Sequence, residues 1–317
     1  MDADDLELFE RSIRHATERH TGADLDGALE ELGWRDALEI DARAAVSVLF
    51  ELQGRANVTS SALDHVVQSA LDVELTPSGV VLPAIGRWAP PGILVGDRLT
   101  VAGMGTAALS TKDTALVVTT TDDKQIAVMV PTSDLVLRQV DGVDPALGLV
   151  EISGEMAIDT TPEPVTAWTT AVAMAQVAVG HELVGAARAM LDLAREHALE
   201  RVQFGQPISM FQAVRHRLAD TLVAIETADA VLDAAWLDGA SHTAAMAKAL
   251  AGRGARTTAR HCQQVLAGIG FTTEHPLHLY IRRVFVLDEL FGASRSLTKE
   301  LGDDLLENRQ LPALLPL

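Results

Sequence analysis

The sequence predicts an α+β protein in three parts: a helical N-terminal segment over residues 1–74, a small β-barrel-like domain over 75–160, and a C-terminal four-helix bundle over 161–317. Three observations predict it. Apolar residues recur every three to four positions at both ends of the chain, as in Leu6, Phe9 and Ile13 and again in Phe211, Val214, Leu218, Leu222 and Ile225, the spacing of a helix with one buried face. From about Leu75 the period shortens to alternating or continuous β-type runs bounded by Gly, Pro and Asp. Hydrophobic residues make up 48% of the chain but aromatics only 4%, which suits helix packed on helix better than an all-β core.

Charge and cysteine content narrow the function classes. A net charge of −19 sets up a field that repels polyanions, which argues against a nucleic-acid or anionic-membrane partner. The single cysteine, Cys262, excludes an intrachain disulfide and fits a reducing compartment. Residues Met1 to Asp5 are acidic with no apolar leader core. The uncharged run from Pro164 to His181 contains Thr166, Thr169, Thr170 and Gln176, so it reads as a buried helix rather than a membrane span. The expectation is a soluble, cytoplasmic protein.

Taken in order, residues 4–20 and 36–53 read as helices, and Ala28 to Trp34 as a helix ended by Gly33 in the left-handed region. Candidate strands follow at Val80–Ile85, Arg98–Ala102, Ala115–Thr119, Gln125–Val130, Leu135–Gln139 and Leu149–Ile152, about six in a small curved sheet. The turn from Thr160 to Pro164 suits a helix start. Beyond it, four long helices are expected at 166–201, 208–238, 241–266 and 276–302, with Ser241 the expected N-cap of the third. Gly252 and Gly254 inside that third helix each cost about 1 kcal/mol relative to Ala, which implies a close contact there.

Two short stretches stand out. Arg201-Val202-Gln203-Phe204-Gly205-Gln206-Pro207-Ile208 lies where one helix must stop. On its residues alone it is a cap, with Gly205 at positive φ, Pro207 blocking continuation and Phe204 packed underneath. Gln264-Val265-Leu266-Ala267-Gly268-Ile269-Gly270-Phe271 ends the third helix and reads equally as a C-cap. Lys248, Arg253, Arg256 and Arg260 form a local basic patch on that helix, and His275 and His278 suggest a polar subunit contact without a third ligand at metal spacing.

With Glu274-His275-Pro276-Leu277 and the pair Arg282-Arg283, these stretches resemble the C-terminal bundle of the acyl-CoA dehydrogenase family. The Leu-Gly-Trp turn at Trp34 and the run Leu49 to Arg55 are similar to that family's N-terminal helical domain, here shortened. The resemblance implies FAD as cofactor, an acyl-CoA substrate, and cofactor-binding roles for Arg201, Gln203, Phe204, Gln264 and Gly268 at a neighbour's FAD. Ala267 stands where the family has a glycine.

The same resemblance implies what this chain lacks. The family's loop with Gly-Ser-Asp survives only as Thr76-Pro77-Ser78-Gly79, and Ala102 to Thr106 lies where a Trp-Ile-Thr segment covers the flavin. The family removes the substrate α-proton with a carboxylate in a Tyr-Glu-Gly-Thr segment. Counted from the Pro276 turn, that position is Phe291. An alternative base position on the first bundle helix falls on Ala175, followed by Gln176. No catalytic residue is therefore assigned; Asp288 and Glu182, with Glu289 nearby, are the weak candidates, each read more simply as a structural charge.

The expectation is a non-catalytic subunit that completes the FAD site of a homologous, intact acyl-CoA dehydrogenase subunit, in a heterotetramer of the kind known from actinobacterial breakdown of steroid CoA thioesters. Two alternatives stay open: a self-sufficient homo-oligomer with its base relocated to Asp288 or Glu182, and a non-redox structural or interaction protein.

Overall fold

A computed structural model describes residues 1–71, 78–121, 124–158, 163–164 and 167–309. The expected boundaries at 74/75 and 160/161, the turn residues Thr160 to Pro162, and the pair Thr76 and Pro77 lie outside the described residues.

Five helices open the chain: α1 (Ala3–Arg19), α2 (Ala23–Glu31), α3 (Trp34–Ile40), α4 (Ala42–Ala56) and α5 (Ala62–Leu71). Gly33 takes φ +69 between α2 and α3, as its sequence context predicts. The expected helix over 36–53 is instead two, because Asp41 leaves the helical region and its carboxylate accepts the Ala44 N–H at 3.0 Å, starting α4 afresh.

The sheet is larger than expected. Its strands are β1 (Gly79–Val80), β2 (Leu82–Pro83), β3 (Gly92–Val95), β4 (Arg98–Gly105), β5 (Thr114–Thr121), β6 (Lys124–Pro131), β7 (Val136–Gln139), β8 (Val150–Ala157) and β9 (Glu163–Pro164). Its main path runs β7-β8-β4-β3-β5-β6-β9, with β1 on β5 and β2 on β4. Seven of these fall on the six expected runs, Val80–Ile85 being divided between β1 and β2; β3 and β9 are additional. Alternate residues of β4 and β5 enter a separate apolar core of Leu99, Val101, Ala115, Val117 and their neighbours.

The C-terminal helices are α6 (Trp168–Glu200), α7 (Gln212–Asp238), α8 (Ser241–Leu266), α9 (Leu277–Glu289) and α10 (Ser294–Asn308), with the hairpin β10 (Val202–Gln203) and β11 (Gln206–Pro207) between α6 and α7. Helix α6 is long and apolar enough to cross a membrane, yet 89% of its apolar window is buried inside the protein, as the sequence predicts. Two expectations need correction. The fourth helix, expected over 276–302, breaks into α9 and α10, because Phe291 and Gly292 adopt φ +54 and +104. Ser241 is the first helical residue of α8 rather than its cap. Asp238 anchors that turn instead, accepting from the Ala240 N–H at 2.8 Å and the Thr243 hydroxyl at 2.6 Å.

The N-terminal helices and the bundle share one core. Helices α4 and α6 touch backbone to backbone: a Cβ on Gly54 would lie 2.1 Å from the Glu182 carbonyl oxygen, and one on Gly185 2.0 Å from that of Glu51. Only glycine fits either position.

Candidate functional site

The antiparallel run of α6, α7 and α8 puts the β10–β11 hairpin and the end of α8 at one end of the bundle. The hairpin pairs Val202 with Pro207 and Gln203 with Gln206, and Ile208 N–H closes it on the Arg201 carbonyl at 2.8 Å. Its two turn residues, Phe204 and Gly205, both have positive φ, +52 and +78, the requirement of a tight twisted hairpin turn. Glycine accommodates this freely, whereas Phe204 does so against its Cβ. Phe204 does not pack underneath, as its sequence context suggests: it is 93% exposed, and only the edge of Phe211 meets it, at 6.0 Å between ring centres. Arg201 and Gln203 are exposed too, and among the described residues no carboxylate pairs with Arg201.

At the end of α8, Gln264 is exposed and Gly268 has no atom within 4 Å of where a Cβ would stand. Ala267 adopts φ +51 and ψ −129, a conformation suited to glycine. Burial, then the nearby His197 of α6 and His278, lower the His275 imidazole below its ordinary range. His275 caps α9 through Leu277 N–H at 3.2 Å, and its carbonyl lies 2.8 Å from His278 Nδ1, so both histidines do local structural work. Among the described residues no cluster of metal-ligating side chains forms.

The turn at the sequence-predicted base position is buried and held from three sides. Phe291 is 2% exposed. Its carbonyl accepts from Gln176 Nε2 at 3.0 Å, and Lys248 Nζ donates to the carbonyls of Asp288 at 2.9 Å and Gly292 at 3.2 Å. Lys248 is completely buried, so the basic patch expected on α8 is divided. Arg253 and Arg260 are exposed, Lys248 is internal, and Arg256 ion-pairs with Asp288 and Glu289 while its guanidinium lies 4.8 Å from the Phe285 ring centre. Burial lowers the Lys248 ammonium to about 8, against the pull of Asp288 and Glu289. Ala175, the alternative base position, is fully buried and apolar.

Asp288 and Glu182 are occupied by structural partners. The Asp288 carboxylate pairs with Arg256 and accepts from Ser294 N–H at 3.1 Å and Ser294 Oγ at 3.2 Å, capping α10. Gly252 makes room for it, since a Cβ there would lie 1.9 Å from Asp288 Oδ1. Gly254 likewise lets α8 approach the Ala224 carbonyl of α7, which would stand 3.1 Å from an added Cβ. Both internal glycines thus mark close contacts, as the sequence implies. Glu182 accepts from Gln53 Nε2 at 3.0 Å and Arg283 Nη1 at 3.3 Å. Burial raises its carboxyl to about 6, against the opposing pull of Arg283.

Sequence reasoning missed the network around Glu182. Arg283 is completely buried and also binds Asp144 at 2.6 Å, the Val58 carbonyl at 2.7 Å and Thr59 Oγ1 at 3.2 Å. It joins α9 to α6, to the α4–α5 connection and to the segment between β7 and β8. All four of its partners are distant in sequence and carry no motif; the Arg282-Arg283 pair was the one visible signal.

Residues 165–306 match the family model for the acyl-CoA dehydrogenase C-terminal domain. That part of the chain is thus similar to the C-terminal domain of the acyl-CoA dehydrogenases. Over 259 residues the chain is 29% identical to the acyl-CoA dehydrogenase IpdE2 of Mycobacterium tuberculosis, covering 74% of this chain and 79% of that protein. Two further acyl-CoA dehydrogenases of actinobacteria are covered over only 20% and 39% of their own length. Among solved structures, a variant of the Tcur3481–Tcur3483 steroid ACAD shares the fold with a TM-score of 0.78 at 21% identity, covering 96% of this chain and 99% of that one. The ChsE4–ChsE5 complex from Mycobacterium tuberculosis does so with 0.79 at 18% identity, covering 99% of both chains. The whole chain therefore has the acyl-CoA dehydrogenase fold: N-terminal helices, a β region and a C-terminal helical bundle.

Acyl-CoA dehydrogenases use FAD, and the exposed end of this bundle carries a guanidinium, two amides and open backbone. Arg201 offers forked donors suited to a pyrophosphate. The Gln203 and Gln264 amides can both donate and accept. The open space at Gly268 lets a ligand approach the backbone.

Proposed function

We propose that this chain is a subunit of an FAD-dependent acyl-CoA dehydrogenase complex, itself without a catalytic base, that completes the FAD site of a homologous partner subunit. The observation that carries the reading is Phe291: at the position counted from the Pro276 turn as the family's base, a buried benzyl side chain sits in a turn fixed by Lys248 and Gln176. An aromatic hydrocarbon accepts no proton, so α-proton removal falls to a carboxylate on the partner. When bound, FAD accepts the hydride leaving the substrate β-carbon in α,β-desaturation. This chain would supply Arg201, Gln203, Phe204, Gln264 and Gly268 to the cofactor's ADP portion, all of them exposed at one end of the bundle.

Support for a heteromeric assembly comes from two structural neighbours, the ChsE4–ChsE5 complex and the Tcur3481–Tcur3483 steroid ACAD. A heterotetramer with two copies of each chain, a bulky steroid-type acyl-CoA and a cytoplasmic location belong to the same proposal. Asp288 and Glu182 have too many structural partners to favour a relocated base.

The test is to purify the chain alone and co-expressed with a homologous dehydrogenase that retains its carboxylate. FAD content and acyl-CoA-dependent flavin reduction are measured in both. The expected result is flavin and turnover in the pair and neither in the lone chain. Stoichiometric FAD with turnover in the lone chain would overturn the reading; absence of flavin from every pairing would favour a structural, non-redox role.

A further inference from the structure

We propose that a cleft at the opposite end of the bundle binds a small amphipathic organic cation, an ammonium group carried on an apolar or aromatic body. The cleft lies between α6, α8, α10 and the connection that carries Trp88, and holds about 300 Å³. That lies at the small end of the range for ligand pockets and gives room for about ten water-sized groups at roughly 30 Å³ each. It does not depend on the flavin reading, since none of its lining residues belongs to the hairpin or to the end of α8.

Its walls are aromatic and aliphatic. Trp88, Trp168, Val172 and Leu301 line it. Trp168 Nε1 donates to the Trp88 carbonyl at 3.0 Å, which holds the two residues side by side. Aromatic rings carry a negative potential over their faces, which attracts cations, and two tryptophans line this cleft.

The polar groups have the matching sign. Leu297, Glu300, Leu301 and Asp304 follow the i, i+3, i+4, i+7 spacing of one helix face, and all four line the cleft. No lysine or arginine lines it. The neighbouring Lys299 is committed to Asp303 at 2.6 Å, and among the described residues no cation pairs with Glu300 or Asp304. Burial, then Asp304 and Asp303, push the Glu300 carboxyl above its ordinary range, outweighing the opposing pull of Lys299. The first residues of α8, Ser241 and His242, also line the cleft. Their helix end contributes about half a positive charge, which two carboxylates outweigh. An apolar floor, aromatic walls and a net negative rim together select an amphipathic cation over an anion or a neutral hydrocarbon.

The test uses the full chain, in whichever assembly it purifies, titrated with 2-phenylethylammonium at constant ionic strength and followed by tryptophan fluorescence and thermal shift. The comparison ligand is 2-phenylethanol, which has the same body without the charge. The expected result is saturable binding of the amine, with the alcohol weaker by about tenfold or more. Glu300→Gln with Asp304→Asn is expected to remove that preference while leaving the weak alcohol binding in place. Equal binding of amine and alcohol, no saturation by the amine, or full amine preference in the double variant would overturn the proposal. If the double variant fails to fold, the comparison of the two ligands on the unaltered chain still decides.

Discussion

Lys248 carries a charge where no water reaches it, and the two carbonyls it satisfies belong to the turn that presents Phe291. Lys248→Met keeps the apolar stem and orphans both carbonyls, so it should cost about 2–4 kcal/mol, measured by urea unfolding. A change under about 0.5 kcal/mol, the size expected at an ordinary surface site, would show that the clamp does not operate. Asp64 gives a pH signature. It is buried, with Oδ2 bound to Thr106 at 2.8 Å and Oδ1 without a partner, and burial pushes its carboxyl up to about 7. Between its unfolded value of about 3.8 and 7 the folded state holds more protons than the unfolded one, so this contribution to stability falls as pH rises through that window. Asp64→Asn should flatten the fall in unfolding free energy between pH 5 and pH 8, by at most about a few kcal/mol. Glu182, raised to about 6, leaves a smaller slope of the same sign. An unchanged slope in Asp64→Asn would mean that this carboxyl titrates normally. Lys248 was also misread most in the sequence, as part of a surface patch. Its face of α8 carries Ala244, Gly252, Ala255, Ala259 and Cys262, all buried, and a lysine in that small-residue stripe was a legible sign of an internal charge.

At the scale of elements, the helical period located α6 and α8 to within about two residues, because each buries a continuous apolar stripe. The break between α9 and α10 was hidden. Leu290 and Phe291 continue the apolar pattern, and the buried cation that stabilises the break comes from another helix. Strand β3 was missed because its four residues alternate buried and exposed among glycines and prolines that read as a loop. The α4–α6 crossing is set by Gly54 and Gly185, neither of which stands out in the sequence. Gly185→Ala would drive a methyl into the Glu51 carbonyl and the Arg55 N–H, forcing the helices apart. A loss of about 3 kcal/mol or more is expected, with a corresponding drop in melting temperature. Gly27→Ala, where nothing lies within 4 Å of the added methyl, should be neutral or stabilising. Equal effects at the two positions would contradict the backbone-to-backbone crossing.

For the whole molecule, the acidic chain presents Arg201, Gln203, Gln264 and Gly268 at one end of the bundle, away from the Phe291 turn. The fold was legible because a short helical start, a β middle and long C-terminal helices each declare themselves by period. The exposed donor residues were legible only as a motif, since among the described residues the side chains of Arg201, Gln203 and Gln264 have no hydrogen-bond or ion-pair partner to reveal a purpose. The measurement that tests the central claim most directly is the FAD affinity of the assembled complex carrying Arg201→Ala in this chain alone. Because Arg201 is exposed and unpaired, the variant's own stability should stay within about 0.5 kcal/mol of the unaltered chain. Losing a charge-assisted contact to a pyrophosphate should weaken FAD binding by about tenfold or more. Unchanged FAD affinity in that complex would contradict the account.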